Sequence, residues 1–286
     1  MLRRDNIPTE GEGLVSRATL RALLNLCYQA GDGIMAAQRD GLRISKKSDA
    51  SMVTHADEEA DALIVSDLQR IAPGIPVISE EGNSVAEETL KNGRFWLVDP
   101  LDGTSGYIRG GQEYTVNIAL IENQQPLLGV IVIPATGEGF CGIVGMGAWK
   151  QTAESGEQAI HVRAAPEDGW HVLLSHRGAH DKARQLLRKY PISELKSASS
   201  SLKFCRIAEG MADVYPRLGP TMEWDTAAGH AILKAAGGEV YALPSGEPFC
   251  YGRRTFLNGS FLAVGGVTID VARLQRMGGA DGRGSE

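Results

Sequence analysis

The ten residues 95–104, FWLVDPLDGT, constrain this chain more than any other stretch. Their apolar start, Phe95-Trp96-Leu97-Val98, reads as a buried strand. It delivers Asp99 and Asp102 at its C-terminal end, with Pro100 between them. Proline has a fixed φ and no N–H to give a sheet. The strand is therefore expected to stop there, with the chain turning and the Leu101 carbonyl left without a ladder partner. Gly103 removes a side chain where something must approach the backbone closely, and Thr104 adds a hydroxyl. Two like charges about 4 Å apart cost roughly 4 kcal/mol at an effective dielectric near 20, so the two aspartates call for a cation. Carboxylates combined with a carbonyl favour Mg²⁺ or Mn²⁺ over zinc. The bland alternative is an aspartate-rich turn held by its own hydrogen bonds. A hard-cation site beside a bare turn that accepts anions points to phosphate chemistry.

At 286 residues the chain is long enough for one large domain or two smaller ones. Its net charge of −6 argues against a partner held by charge alone, such as a nucleic-acid polymer. Cys27, Cys141, Cys205 and Cys250 lie far apart with no CxxC pair. Reduced thiols and a cytoplasmic setting are expected, with association at the inner membrane face left open. No apolar run reaches the roughly 18 residues of a membrane span. The start, MLRRDNIPTEGEG, has no apolar stretch behind its arginines.

Helical spacing of Leu20, Leu23, Leu24, Cys27, Ala30 and Ile34 predicts a long helix over residues 14–38. Lys46-Lys47-Ser48-Asp49 reads as a polar loop, and a second helix runs from Thr54 until Pro73-Gly74 ends it. Residues 77–79 form a short strand closing on Glu80-Glu81-Gly82, and a charged linker over 87–94 leads into the central stretch. Residues 114–121 and 127–133 alternate as a hairpin about the turn 123–126, and 139–150 reads as a further Gly-rich strand pair. Beyond the loop at 164–169 strands and helices alternate: strands at 172–175, 212–215, 239–242 and 261–264, helices at 181–189, 201–210 and 226–236. Two units are expected, residues 14–165 and 166–270, with 1–13 and 271–286 as flexible termini.

Several acidic residues have two readings. Thr54 with Asp57 makes a capping box; Glu80-Glu81 is a solvated corner unless its place at a strand end gives it a function; Asp225 reads as an N-cap whose second oxygen is free for a metal. His176 and His180 are four apart but lack the glutamate of an HExxH zinc helix, and neither a P-loop nor a GxSxG elbow occurs. Gly31-x-Gly33-x-x-Ala36 and Gly137-x-Gly139-x-x-Gly142 mimic a dinucleotide fingerprint, but neither follows a strand and opens a helix. The haloacid-dehalogenase class of phosphatase needs D-x-D, whereas two residues separate Asp99 from Asp102.

Three motifs taken together carry a resemblance: Ser79-Glu80-Glu81-Gly82, residues 96–104, and Trp224-Asp225-Thr226-Ala227-Ala228-Gly229. Over about residues 18–265 the chain resembles the lithium-sensitive, Mg²⁺-dependent inositol monophosphatase superfamily. Ser200-Ser201-Leu202-Lys203-Phe204-Cys205, residues 215–220 and Tyr114-Thr115-Val116-Asn117 are similar to its CysQ-type 3′(2′),5′-bisphosphate nucleotidases. The resemblance implies an α-β-α-β-α layered sandwich with the site between its halves. It implies two to three Mg²⁺ ions held by Glu80, Asp99, the Leu101 carbonyl, Asp102 and Asp225. Asp57 and Thr104 would activate the attacking water, which displaces the capping-box reading of Asp57. Gly103 and Thr104 amides would cradle the scissile phosphate. Ser200, Ser201, Lys203 and Arg217, with Asp225, would hold the nucleotide.

The implied activity is removal of the 3′-phosphate from adenosine 3′,5′-bisphosphate, a by-product of sulfate assimilation. The alternatives are an inositol or sugar monophosphate phosphatase and a non-catalytic nucleotide-binding regulator. The chain departs from the pattern at Ser105-Gly106-Tyr107, at Ser199 and at Ser175-His176-Arg177-Gly178-Ala179-His180, which bears on substrate preference rather than on the metal set. The oligomeric state is left open.

Overall fold

A computed structural model describes residues 13–46, 52–82, 90, 93–176 and 180–270. The expected termini 1–12 and 271–286, most of the 46–49 loop and the 87–94 linker, and Arg177-Gly178-Ala179 lie outside the described residues.

Two N-terminal helices, α1 (Arg17–Asp40) and α2 (His55–Ile71), pack side by side. Each starts at a hydroxyl cap: Ser16 accepts the Thr19 N–H, and Thr54 accepts the Ala56 N–H. Between them β1 (Ile44–Lys46) and β2 (Met52–Thr54) pair antiparallel. Then come β3 (Val77–Ser79), β4 (Arg94–Asp102), the one-turn helix α3 (Thr104–Ile108), β5 (Thr115–Glu122), β6 (Gln125–Ile133), β7 (Glu138–Ile143), β8 (Gly147–Thr152) and β9 (Gly156–Ile160). These seven strands form one sheet in chain order, with β3 and β4 parallel and every other neighbouring pair antiparallel.

The remaining chain adds β10 (Trp170–Leu174), α4 (His180–Leu187), β11 (Ile192–Ser197), α5 (Leu202–Ala208), β12 (Val214–Arg217) and β13 (Thr221–Met222). It ends with α6 (Trp224–Ala235), β14 (Glu239–Ala242), β15 (Leu257–Asn258) and β16 (Phe261–Val264). A second sheet has the order β11-β10-β12-β16-β14, and β13 pairs with β15 in a short ribbon.

Side-chain alternation along β4 explains the layering. Trp96 and Val98 join the core under α1 and α2, whereas Phe95 and Leu97 join the core around α5 and α6. Both faces of the strand are covered, which is why it reads as an unbroken apolar run. The outer face of the second sheet is covered by Ala183, Leu186 and Leu187 of α4. The order is therefore helices, seven-stranded sheet, helices, five-stranded sheet, helix: the expected α-β-α-β-α sandwich. α6 lies so close to the first sheet that a Cβ on Gly129 of β6 would sit 2.4 Å from the Ala228 carbonyl oxygen. No described helix is long and apolar enough to cross a membrane.

Three expectations need correction. β4 does not stop at Pro100: the pairing with β5 shifts register after Asp99 and resumes where Asp102 meets Thr115. A bulge accommodates the proline that a regular ladder would exclude. The 123–126 turn is shorter than expected. Asn123 (φ 50°) and Gln124 (φ 64°) both adopt the left-handed region of a two-residue hairpin loop, so Gln125 and Pro126 already belong to β6. Strands β9 and β11 have no counterpart among the expected elements. Both are largely exposed edge strands with little apolar alternation to betray them.

Candidate active site

The bulge in β4 decides where the acidic residues go. Leu101, carried past the proline, turns its N–H back to Asp99 Oδ1 at 3.1 Å. Asp99 Oδ2 has no hydrogen-bond partner among the described residues, although Asp99 is only 1 % exposed. Glu80 follows the parallel strand β3, its N–H on the Val98 carbonyl, and thereby reaches the same end of the sheet. Asp225 arrives from α6. Oxygens of Glu80, Asp99 and Asp225 all lie within 4.8 Å of one another.

Asp225 is not the N-cap expected from its sequence position. α6 begins at Trp224 with Glu223 at the cap, so Asp225 sits in the first turn and accepts the Met222 N–H at 2.8 Å. Asp102 completes the acidic wall, its Oδ2 accepting the Ser201 N–H at 2.7 Å.

Burial makes Asp99, Asp102 and Asp225 costly to ionise. Burial, then the charges of Glu80, Asp102 and Asp225, pushes the Asp99 carboxyl well above the usual carboxylate range. Asp225 is pushed well above it too, by burial and then by Asp102. Asp102 is also raised by burial, against the opposing Lys203 charge and the Ser201 N–H. A divalent ion removes this repulsion, and an oxygen-only donor set with one buried oxygen unpartnered suits a hard cation. The residues present therefore fit Mg²⁺.

Thr104 and Asp57 also meet. Thr104 Oγ1 lies 3.0 Å from Asp57 Oδ1 and 3.0 Å from the Leu101 carbonyl, so that carbonyl is not without a neighbour. The capping box at Thr54 is present as well: Asp57 Oδ2 accepts the Thr54 N–H at 2.9 Å and the Thr54 hydroxyl at 2.7 Å. The two readings of Asp57 are therefore compatible, because each uses a different oxygen.

Asp102 and Asp225 open into a cavity of about 720 Å³ bordered by Gly103, Ser200, Lys203 and Arg217. Gly103 has φ 97°, and a Cβ there would meet Ser200 Oγ at 2.5 Å, so only glycine fits. Lys203 Nζ donates to the carbonyls of Ser200 (2.7 Å) and Ala198 (3.1 Å), and burial lowers its pKa to about 8. Arg217 donates to Ser175 Oγ, the Pro220 carbonyl and the Gly219 carbonyl, which holds its guanidinium plane. Ser201 differs from the others: its hydroxyl points into the interior and it does not border the cavity.

Sequence reasoning missed Glu223. Its buried carboxylate accepts the N–H groups of Gly252 (2.7 Å) and Arg253 (2.9 Å) and the Arg253 guanidinium (3.1 Å), which anchors the start of α6 and with it Asp225. Its partners lie about thirty residues away, so no local spacing signals them.

This arrangement has known counterparts. The chain belongs to the inositol monophosphatase family, whose sequence profile matches residues 17–274. It is 42% identical over 247 residues to the 3′(2′),5′-bisphosphate nucleotidase CysQ of Shigella flexneri, a match covering 85% of this chain and 98% of that protein. The protein of the same name from Escherichia coli K12 is 41% identical over 246 residues, with the same coverage. A crystal structure of CysQ from Bacteroides thetaiotaomicron superposes with a TM-score of 0.76 at 34% identity, covering 90% of this chain and all of that one. The Thermotoga maritima IMPase shares the fold, with a TM-score of 0.73 at 24% identity over 92% of this chain and 98% of that one.

Proposed function

We propose that this chain is a Mg²⁺-dependent 3′(2′),5′-bisphosphate nucleotidase that converts adenosine 3′,5′-bisphosphate to AMP and phosphate. One observation carries the reading: oxygens of Glu80, Asp99 and Asp225 converge, with Asp99 Oδ2 buried and unpartnered among the described residues, beside a cavity lined by Asp102, Asp225, Lys203 and Arg217. The relatives named above, alike over nearly their whole length, support the substrate. The site forms where residues 14–165 meet residues 166–270, the first supplying Glu80, Asp99 and Asp102 and the second Asp225.

Glu80, Asp99, the Leu101 carbonyl, Asp102 and Asp225 would hold two to three Mg²⁺ ions. When bound, such ions acidify a water and neutralise charge on the leaving oxygen. The rest is the work of side chains. Asp57 is held by two donors on Oδ2 and offers Oδ1 to Thr104. A hydroxyl has one proton to give. With that proton directed at Asp57, Thr104 Oγ1 presents a lone pair to an attacking water and takes its proton as its own passes to Asp57. The amides of Gly103 and Thr104 cradle the phosphate undergoing displacement. Ser200, Lys203 and Arg217 line the part of the cavity that takes the nucleoside and its second phosphate. A cytoplasmic setting belongs to the same reading, in keeping with four free thiols.

The test is phosphate release from adenosine 3′,5′-bisphosphate, adenosine 3′-monophosphate and inositol 1-phosphate, with Mg²⁺ and with added Li⁺. The bisphosphate is expected to be the preferred substrate and Li⁺ to inhibit. Preference for the inositol ester would move the protein to the other branch of its family. Absence of any turnover would leave only the regulator.

A further inference from the structure

Behind Asp102 lies a chain of buried polar groups with no place in the reaction just described. Thr115, Asn117 and Ser201 are each at most 1 % exposed. Thr115 and Asn117 alternate onto one face of β5, and their register partners on β4 are Asp102 and Asp99.

Proton counting gives this chain a direction. Ser201 Oγ lies 2.8 Å from Asn117 Oδ1, an atom with no proton, so Ser201 donates there. Its one proton being spent, the 2.9 Å contact between Thr115 Oγ1 and Ser201 Oγ is a bond that Thr115 donates. An amide that accepts on Oδ1 turns Nδ2 the other way. Asn117 Nδ2 closes no hydrogen bond among the described residues, and the Asn117 side chain interacts with the Asp102 carboxylate. Ser201 meanwhile gives its backbone N–H to Asp102 Oδ2 at 2.7 Å. The hydroxyl series thus runs from Thr115 through Ser201 to Asn117, and the residue at its centre also holds Asp102. A carboxylate rotates broadly about its terminal torsion unless its surroundings hold it. Here one oxygen is fixed from behind while Asp102 still borders the cavity.

The geometry points to Thr115, Ser201 and Asn117 as positioning residues that set the Asp102 carboxylate for a cation, with the Ser201 side chain taking no part in holding the nucleotide. This rests on the metal-site reading above. It reassigns Ser201, which the motif alone places on the substrate, and it gives the Thr115-Val116-Asn117 motif a task. Groups that orient a metal ligand from behind are worth roughly 10–100-fold in metal affinity or activity. They change how tightly the metal binds, whereas a substrate contact changes KM when metal is saturating.

The experiment measures Mg²⁺ binding to the intact protein by calorimetry without nucleotide, and steady-state kinetics at saturating Mg²⁺. Ser201→Ala is expected to weaken Mg²⁺ binding roughly ten-fold. It should leave KM for adenosine 3′,5′-bisphosphate within about twofold of wild type. Thr115→Val keeps the side-chain shape and touches neither the carboxylate nor the cavity. It should weaken Mg²⁺ binding about threefold, and Thr115→Ser should restore it. A raised KM at saturating Mg²⁺ with unaltered Mg²⁺ binding in Ser201→Ala would return Ser201 to the nucleotide and overturn the proposal. Wild-type Mg²⁺ affinity in Thr115→Val would overturn it equally, and that arm stands even if Ser201→Ala does not fold. Wild-type protein that neither binds Mg²⁺ nor hydrolyses a phosphate ester would instead remove the reading on which the proposal rests.

Discussion

Two gatherings of carboxylates among the described residues are built oppositely. Glu138 at the start of β7 and Glu209 at the end of α5 meet through Lys150 of β8 and Arg206 of α5, so there cations accompany them. Arg206 makes a two-pronged contact with Glu138 (3.0 and 2.8 Å) and also bonds Glu209, while Lys150 bridges Glu138 (2.6 Å) and Glu209 (2.8 Å). Both cations lie over the Phe140 ring, at 5.2 and 5.8 Å. The Arg206 hydrogen bonds hold the Glu138 carboxyl down at about 2. At Glu80, Asp99 and Asp225 the carboxylates face one another instead, and burial drives Asp99 and Asp225 the other way. A fold that needs carboxylates for cohesion supplies their counter-ions within the chain. Where Asp99 and Asp225 are buried among like charges, a cation from solution would relieve the repulsion.

The largest effect that would break this contrast comes from Asp99→Asn. Loss of a proposed direct ligand should cost at least as much as loss of a group behind one, so phosphate release is expected to fall by about 100-fold or more. Stability should move the other way. Removing one of several mutually repelling buried charges is expected to raise the melting temperature of the protein in EDTA. Retained turnover, or a lower melting temperature in EDTA, would mean that the aspartate is structural and the two clusters are alike.

Arg206→Met probes the other cluster, with the signs reversed. It leaves Glu138 and Glu209 with Lys150 alone. Breaking a fully buried pair costs 3–5 kcal/mol and an exposed one under 1. Arg206 and Glu138 are 22 % and 16 % exposed, which places the expected loss at about 2 kcal/mol by urea unfolding. Turnover and Mg²⁺ affinity should stay within about twofold of wild type. A loss of activity approaching that of Asp99→Asn would show the network to be part of the site.

The two clusters were not equally legible. Residues 95–104 announce themselves, because an apolar run ending in two aspartates, a proline and a glycine has few other uses. Glu80 and Asp225 carry weaker local signals, a strand end and a helix start, and only the three motifs together single them out. The network around Glu138 carries none: Glu138, Lys150, Arg206 and Glu209 look like solvated charges until the fold brings their side chains together. Layering was hidden for a related reason. α6 is buried from Thr226 to Leu233, so it has no polar face to say which sheet it joins. Asp57 shows a third limit, since a sequence motif assigns a residue whereas a carboxylate has two oxygens that can serve two tasks.

The smallest expected effect is a slope, and it sharpens the contrast on the Glu138 side. Its carboxyl ordinarily titrates near 4.5 and is held at about 2 in the folded protein. Between those values the unfolded chain binds more protons than the folded one, so stability rises with pH. The contribution is complete above the unfolded value and is lost as pH falls through the folded one. Arg206→Met removes the main cause of the shift, so its stability deficit against wild type should narrow between about pH 5 and about pH 2.5. Glu239 is held at about 2 as well, its burial outweighed by His230, the Val240 N–H and Lys234. That part of the acid sensitivity should persist in the variant and serves as an internal reference. A deficit that stays constant across the range would show that Arg206 is not what keeps Glu138 ionised, and the self-neutralised half of the comparison would fall.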